Sequence, residues 1–174
     1  MERAKFRPPP YLVPTNKGAG PFHTWCLDLV THLYPAGPSG ETYLAVAVYA
    51  FSKWVEVGVL QDRSSKTVTR WFHREITCRF GTPAAVRTDR GKEFMGEFGR
   101  YLARLGVQQQ VISVGHPRAN GLVERYNGVL KSGLRRMMAA DPSGHWINHL
   151  PDVLAGLRFL PTILGYSPFL LVYK

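Results

Sequence analysis

The stretch Thr42 to Leu60, TYLAVAVYAFSKWVEVGVL, decides the fold. Its first half, Thr42 to Ala50, is uncharged and rich in β-branched, aromatic and small apolar side chains, the content of a buried strand. Its second half, Trp54 to Leu60, alternates with period two. Trp54, Glu56 and Gly58 fall on one face and Val55, Val57 and Val59 on the other. The break between them, Phe51-Ser52-Lys53, is short enough to make the pair a hairpin. Upstream, past the turn-rich PAGPSGE of residues 35–41, lies another compact apolar run, Trp25 to Leu33. It carries one acid, Asp28, in its middle.

Downstream the period changes. Ser64 is a good N-cap, and Val68, Trp71, Phe72, Ile76 and Phe80 recur at helical spacing until Gly81 and Pro83 stop them. Ala84 to Thr88 reads as a short strand ending at Asp89. Glu93 to Leu105 reads as a helix closed by Gly106, and Val107 to Val114 as a further strand. Asn120 to Ala139 is a long helix with Val123, Tyr126, Leu130, Leu134 and Met137 on its apolar face. Trp146 to Leu157 is helical in pattern but contains Pro151, so we expect a kink or a split. Three strands, helix, strand, helix, strand and two helices make an α/β chain: a five-stranded mixed sheet with helices on both faces. No repeat or linker divides it. We expect one domain over residues 21–174 after an irregular lead-in, residues 1–20, rich in Pro, Gly and Lys.

Composition narrows the function. With 45% apolar residues in a chain of 174, disorder is excluded and a real core is available. The net charge of +10 points toward a polyanionic partner. Cys26 and Cys78 form no CxxC pair, which argues against a disulfide framework or a structural zinc site and suits a reducing compartment. There is no apolar run of membrane-spanning length and no signal-peptide core, so we expect an intracellular protein with no membrane partner. His145 and His149 have helical metal-pair spacing, but no third ligand accompanies them, so zinc is not expected. The four tryptophans read as core, not as base-stacking platforms.

Three acids stand where secondary structure could gather them. An acid inside an apolar strand, as Asp28 is, costs free energy unless it is paired, exposed or metal-bound. An edge-strand position facing water is the plain alternative. Asp89 ends a strand before Arg90-Gly91, where a turn-forming Asp is common. Glu124, on the long helix, is uninformative alone.

The flanking strings say more. FGTPAAVRTDRGKEF spans Phe80 to Phe94, and GHPRANGLVERYNGVLK spans Gly115 to Lys131. Together with YLAVAVYAFSKWVEV and the terminal SPFLLVY, they make residues 21–173 resemble the retroviral-type integrase catalytic core, most closely that of gypsy-like LTR retrotransposons. The matching positions are Asp28, the run Asp89 to Phe94, His116-Pro117, Asn120-Gly121, Glu124-Arg125, Asn127 and Leu130-Lys131. Between Asp89 and Glu124 lie 34 residues, one fewer than the family usually shows. The shortening falls near Ala103 to Gly106. Arg118 stands where the family often has Gln.

The resemblance implies an RNase H-like fold and a DNA integrase of the DDE type, a polynucleotidyl transferase and endonuclease. It implies two Mg²⁺ or Mn²⁺ ions held by Asp28, Asp89 and Glu124, DNA 3′-end processing and strand transfer. Lys131, seven residues beyond Glu124 and on the same helix face, is the expected phosphate contact, with Asn120, Asn127 and Arg118 beside it. Arg125, Arg135 and Arg136 extend the basic surface, and His116 shapes the loop before Glu124. The partners implied are element ends and target DNA, with a homo-oligomer assembled on them, in the nucleus or a cytoplasmic particle. We expect the chain to be a fragment that lacks flanking domains and fails at paired-end insertion. A related DDE transposase, an RNase H-like nuclease and a domesticated DNA-binding or assembly protein are the competing readings.

Overall fold

The computed structural model describes residues 21–112, 117–142, 144–162 and 165–173; the lead-in and the side chains of residues 117–120 fall outside the description. Three strands come first: β1 (Thr24–Val30), β2 (Tyr43–Tyr49) and β3 (Val55–Leu60). They form an antiparallel meander, with Asp28 opposite Val46 and Val46 opposite Val57. Lys53, at φ +67°, lies in the hairpin break that the FSK segment led us to expect.

Helix α1 (Ser65–Phe72) then begins where Ser64 accepts the Thr67 N–H on its side chain. It continues through a π-helical segment, His73–Thr77, into the short α2 (Cys78–Phe80), and ends at Gly81, whose φ is +85°. This crossover delivers β4 (Ala85–Thr88), which pairs parallel to β1. The helix expected over Glu93 to Leu105 is shorter. Lys92–Phe94 is a 3₁₀ turn, Met95 is extended, Gly96 adopts φ +62°, and α3 (Glu97–Arg104) starts anew. The interruption lets both Phe94 and Phe98 reach the core, where their rings meet edge to face. The Ser65 hydroxyl accepts the Phe98 N–H and so ties α3 to the start of α1.

Strand β5 (Gln108–Val111) pairs parallel to β4 and is shorter than expected; positions 113 and 114 lie outside the described residues. Then come α4 (Pro117–Ala140), α5 (Trp146–Phe159) and α6 (Pro168–Tyr173). Pro151 sits inside α5 without splitting it. Helix α6 was not expected, because six residues are too few to show a period.

The strand order is β3-β2-β1-β4-β5, mixed as the sequence led us to expect. Alternation along each strand feeds two cores. Trp25, Leu27, Leu29, Ala45 and Ala47 pack with Val68, Trp71, Phe72, Phe98 and Leu102 from α1 and α3. Cys26, Val30, Val46, Val48 and Val55 pack with Val123, Leu130, Leu134, Trp146 and Leu150 from α4 and α5. All four tryptophans are buried, as read from the sequence. The two cysteines are unpaired. Among the described residues no helix is long and apolar enough to cross a membrane.

Candidate active site

Parity places Asp28. It lies two residues beyond Cys26 and two before Val30, both of which face α4 and α5, so its side chain leaves β1 on that face. It stands on a central strand, not an edge, and is half-buried. The β1–β4 ladder ends at the pair Cys26–Arg87. Asp28 is two residues past the first and Asp89 two past the second, so both stand at the carboxyl end of this parallel pair. Crevices at such ends are the usual ligand sites of α/β sheets.

The side chains are oriented. The Leu29 N–H donates to Asp28 Oδ1 at 2.8 Å, and Asn127 Nδ2 donates to Oδ2 at 2.7 Å. Asp89 Oδ1 accepts the Gly91 N–H at 2.8 Å, the turn that a short Asp makes before Gly. A Cβ on Gly91 would lie 2.9 Å from Asp89 Oδ1 and 2.7 Å from the Glu93 carboxyl carbon, so only glycine lets the two acids approach this closely. Glu124 is exposed on α4, one turn before Asn127.

Electrostatically the site is crowded with like charge. Burial pushes the Asp28 carboxyl up to about 6, and Asp89, Glu124 and Glu93 push it the same way against the Leu29 hydrogen bond. Unpaired negative charge of this kind favours a cation. The donors are hard oxygens, which suits Mg²⁺ or Mn²⁺. In the arrangement described, no group of three His, Cys, Asp or Glu among the described residues is gathered closely enough to hold a metal ion. The chemistry of the set therefore fits a divalent ion.

The expected DNA contacts divide. Lys131 is exposed, one turn beyond Asn127. Asn127 is only 8% exposed and its amide is spent on Asp28, so it acts on the carboxylate and offers little surface to a phosphate. Arg118 and Asn120 lie in the first turn of α4, and their side chains and His116 lie outside the described residues. His145 caps α5 by accepting the Ile147 N–H, and His149 is buried near Asp141. Glu93 was quoted in the motif but given no role; the sharp local turn at Gly91 brings it beside Asp89.

Comparison with known proteins gives the family. Residues 18–117 match the family described as Integrase core domain, a span that contains Asp28 and Asp89 and stops short of Glu124. The Pol polyprotein of Radiation murine leukemia virus (strain Kaplan) is 32% identical over 158 residues, covering 90% of this chain and 27% of the relative. The Gag-Pol polyprotein of Avian reticuloendotheliosis virus is 31% identical over 158 residues, covering 90% of this chain and 14% of the relative. The chain thus spans about a quarter or less of these relatives. Among solved structures, the HTLV-2 integrase catalytic core domain in complex with magnesium (trimeric form) superposes with a TM-score of 0.69 at 24% identity, covering 86% of this chain and 95% of that one. A chain of the simian T-cell lymphotropic virus intasome gives 0.77 at 22%, covering 91% and 57%. The fold is RNase H-like, shared with integrase catalytic cores. The chain belongs to the integrase core domain family, of retroviral type.

Proposed function

We propose that this chain is the catalytic part of a DNA integrase, which trims a DNA 3′ end and joins it to target DNA by metal-dependent phosphoryl transfer. The observation that carries the reading is the set of acids around a half-buried Asp28, which has only neutral donors among the described residues, in a chain of net charge +10. A local negative pocket on a basic protein suits a cation site beneath a bound polyanion.

Asp28, Asp89 and Glu124 are the residues that would hold Mg²⁺ or Mn²⁺, two ions by family analogy. When bound, such ions activate the attacking oxygen and stabilise the leaving oxygen of an in-line displacement. The chain's own part is positional. Leu29 and Asn127 each tie one oxygen of Asp28, and Gly91 ties one of Asp89. Glu124 joins them from the solvent side of α4. The attacking group is first water and then the new 3′ hydroxyl, and no side chain serves as nucleophile. Lys131, with Arg118 and Asn120, holds phosphate beside the carboxylates. The magnesium in the HTLV-2 core and the intasome assembly of the simian virus support divalent metal, DNA and a homo-oligomer as partners. Such a protein works inside the cell, in the nucleus or a cytoplasmic particle.

A non-catalytic DNA-binding or assembly protein is the second reading. The net charge of +10 would serve DNA binding without catalysis equally well. A strand-transfer assay with labelled DNA ends and Mg²⁺ or Mn²⁺ separates the two. The integrase reading expects metal-dependent joined product from the parent and none from Asp28→Asn, which keeps DNA binding. DNA binding without product under either metal would leave the second reading standing.

A further inference from the structure

The helices on the other side of the sheet from Asp28 carry a relay of side chains that phosphoryl transfer does not use. The π-helical segment His73–Thr77 widens the turn between α1 and α2, so the Cys78 N–H donates to the carbonyl of His73, five residues back. In a regular α-helix residues five apart point about 140° away from each other. The wider turn, a feature that recurs at functional sites, brings these two side chains together. His73 Nε2 lies 3.5 Å from Cys78 Sγ. On the other side of the ring, Nδ1 lies 3.1 Å from the Tyr101 hydroxyl of α3, which donates its own proton to Thr77 Oγ1 at 2.9 Å. A phenol has one proton to give. Toward His73 its oxygen therefore accepts, Nδ1 carries the ring proton, and Nε2 offers its lone pair to the Cys78 thiol. Tyr101 is a firm reference point: it is buried, packs against Phe72 and meets the His73 ring edge-on at 5.9 Å. Cys78 and His73 are both exposed. The charged groups of the same segment, Arg74, Glu75 and Arg79, pair with one another and with Glu56. Cys26 is the opposite case, buried in the core with its thiol pushed up by burial.

We propose that Cys78 is a reactive thiol, with His73 as its base and Tyr101 positioning that base, and that it exchanges with small-molecule disulfides of the glutathione kind. A nucleophile, a base and a group that orients the base, joined by hydrogen bonds, make a thiol reactive at neutral pH. As Cys78 Sγ attacks one sulfur of the disulfide, its proton passes to His73 Nε2. The new S–S bond forms, the old one breaks, and the departing thiolate takes the proton back from His73. One thiol and one disulfide become one mixed disulfide and one thiol, so the small disulfide is the only oxidant required. The inference stands apart from the integrase reading, since neither metal nor DNA takes part.

The test is mass spectrometry, of the intact chain and of its peptides, during treatment with oxidised glutathione, on the folded chain and on the chain in urea. An unassisted thiol is mostly protonated near neutrality, and assistance is partly offset by a weaker nucleophile, so Cys78 should be modified about tenfold faster in the folded chain than in urea. Cys26 should react only in urea. His73→Gln should bring the folded rate down to the rate in urea, with an unchanged melting temperature. Its rate should climb about tenfold per pH unit around neutrality, as a simple thiol does, while the parent climbs less steeply. Tyr101→Phe should lose part of the advantage and move the pH profile toward that of His73→Gln. A folded rate no faster than the rate in urea, modification of Cys26 in the folded chain, or a His73→Gln variant that keeps the parent's rate and pH profile overturns the assignment. The comparison of folded and unfolded chain uses the parent alone, so it decides even where a variant misfolds.

Discussion

Two acids enter this sheet from neighbouring regions, and they are treated in opposite ways. Glu56 of β3 is 4% exposed and fully compensated. Its Oε1 accepts Trp54 Nε1 at 2.8 Å; its Oε2 meets Arg158 at 2.9 Å and Arg79 at 3.1 Å. Arg158 also donates to the Val55 carbonyl and lies over the Trp54 ring. The cluster pins the sheet's β3 edge to α2 and α5. Among the described residues, Asp28 of β1 has only a backbone N–H and an amide for partners, and three further acids for neighbours. Burial alone does not separate structure from function; the sign of the surrounding charge does.

The largest effect that can break this contrast is catalytic. Asp28→Asn should reduce metal-dependent DNA joining to the level seen without metal, because the shape stays and the charged ligand goes. Full activity of the variant with Mg²⁺ would end the assignment. Next comes Glu56→Gln, which should cost about 2 kcal/mol in urea unfolding by leaving two arginines short of their counter-charge, less than a fully buried pair because both are partly exposed. A neutral result would mean that the cluster is decorative.

The third effect is opposite in sign. A carboxyl raised in the folded state supports folding below its unfolded value of 3.8, and that support is lost as pH rises through about 6. Asp28→Asn does not titrate, so at pH 7 without metal it should be more stable than the parent by about 2 kcal/mol. The difference should vanish near pH 4. Thermal melts across that range check it, and equal melting at every pH would show that Asp28 is solvated after all. Asn127→Ala should remove about 1 kcal/mol at pH 7 and much less in the Asp28→Asn background, a coupling that a double-mutant cycle reads directly. The smallest effect on folding belongs to Lys131→Glu, within about 0.5 kcal/mol of the parent, since the side chain is exposed. Its DNA affinity at low salt should nonetheless drop clearly; unchanged binding would make Lys131 an ordinary solvated residue.

The sequence by itself determined the strands, the major helices and the mixed sheet, because alternation at 2 and 3.6 residues is local and each buried face imposes it on its own segment. It also marked Asp28 and Asp89 through the strings around them. What only the tertiary structure decided is relational. Asp28 and Glu56 look alike in sequence, one acid each in an apolar strand, and their roles differ because α2 and α5 bring arginines to one while α4 brings Asn127 and Glu124 to the other. The interruption at Met95 and Gly96 and the burial of Asn127 likewise follow from which surfaces meet. Electrostatic fate depends on neighbours distant in the chain, and period and propensity carry no information about those.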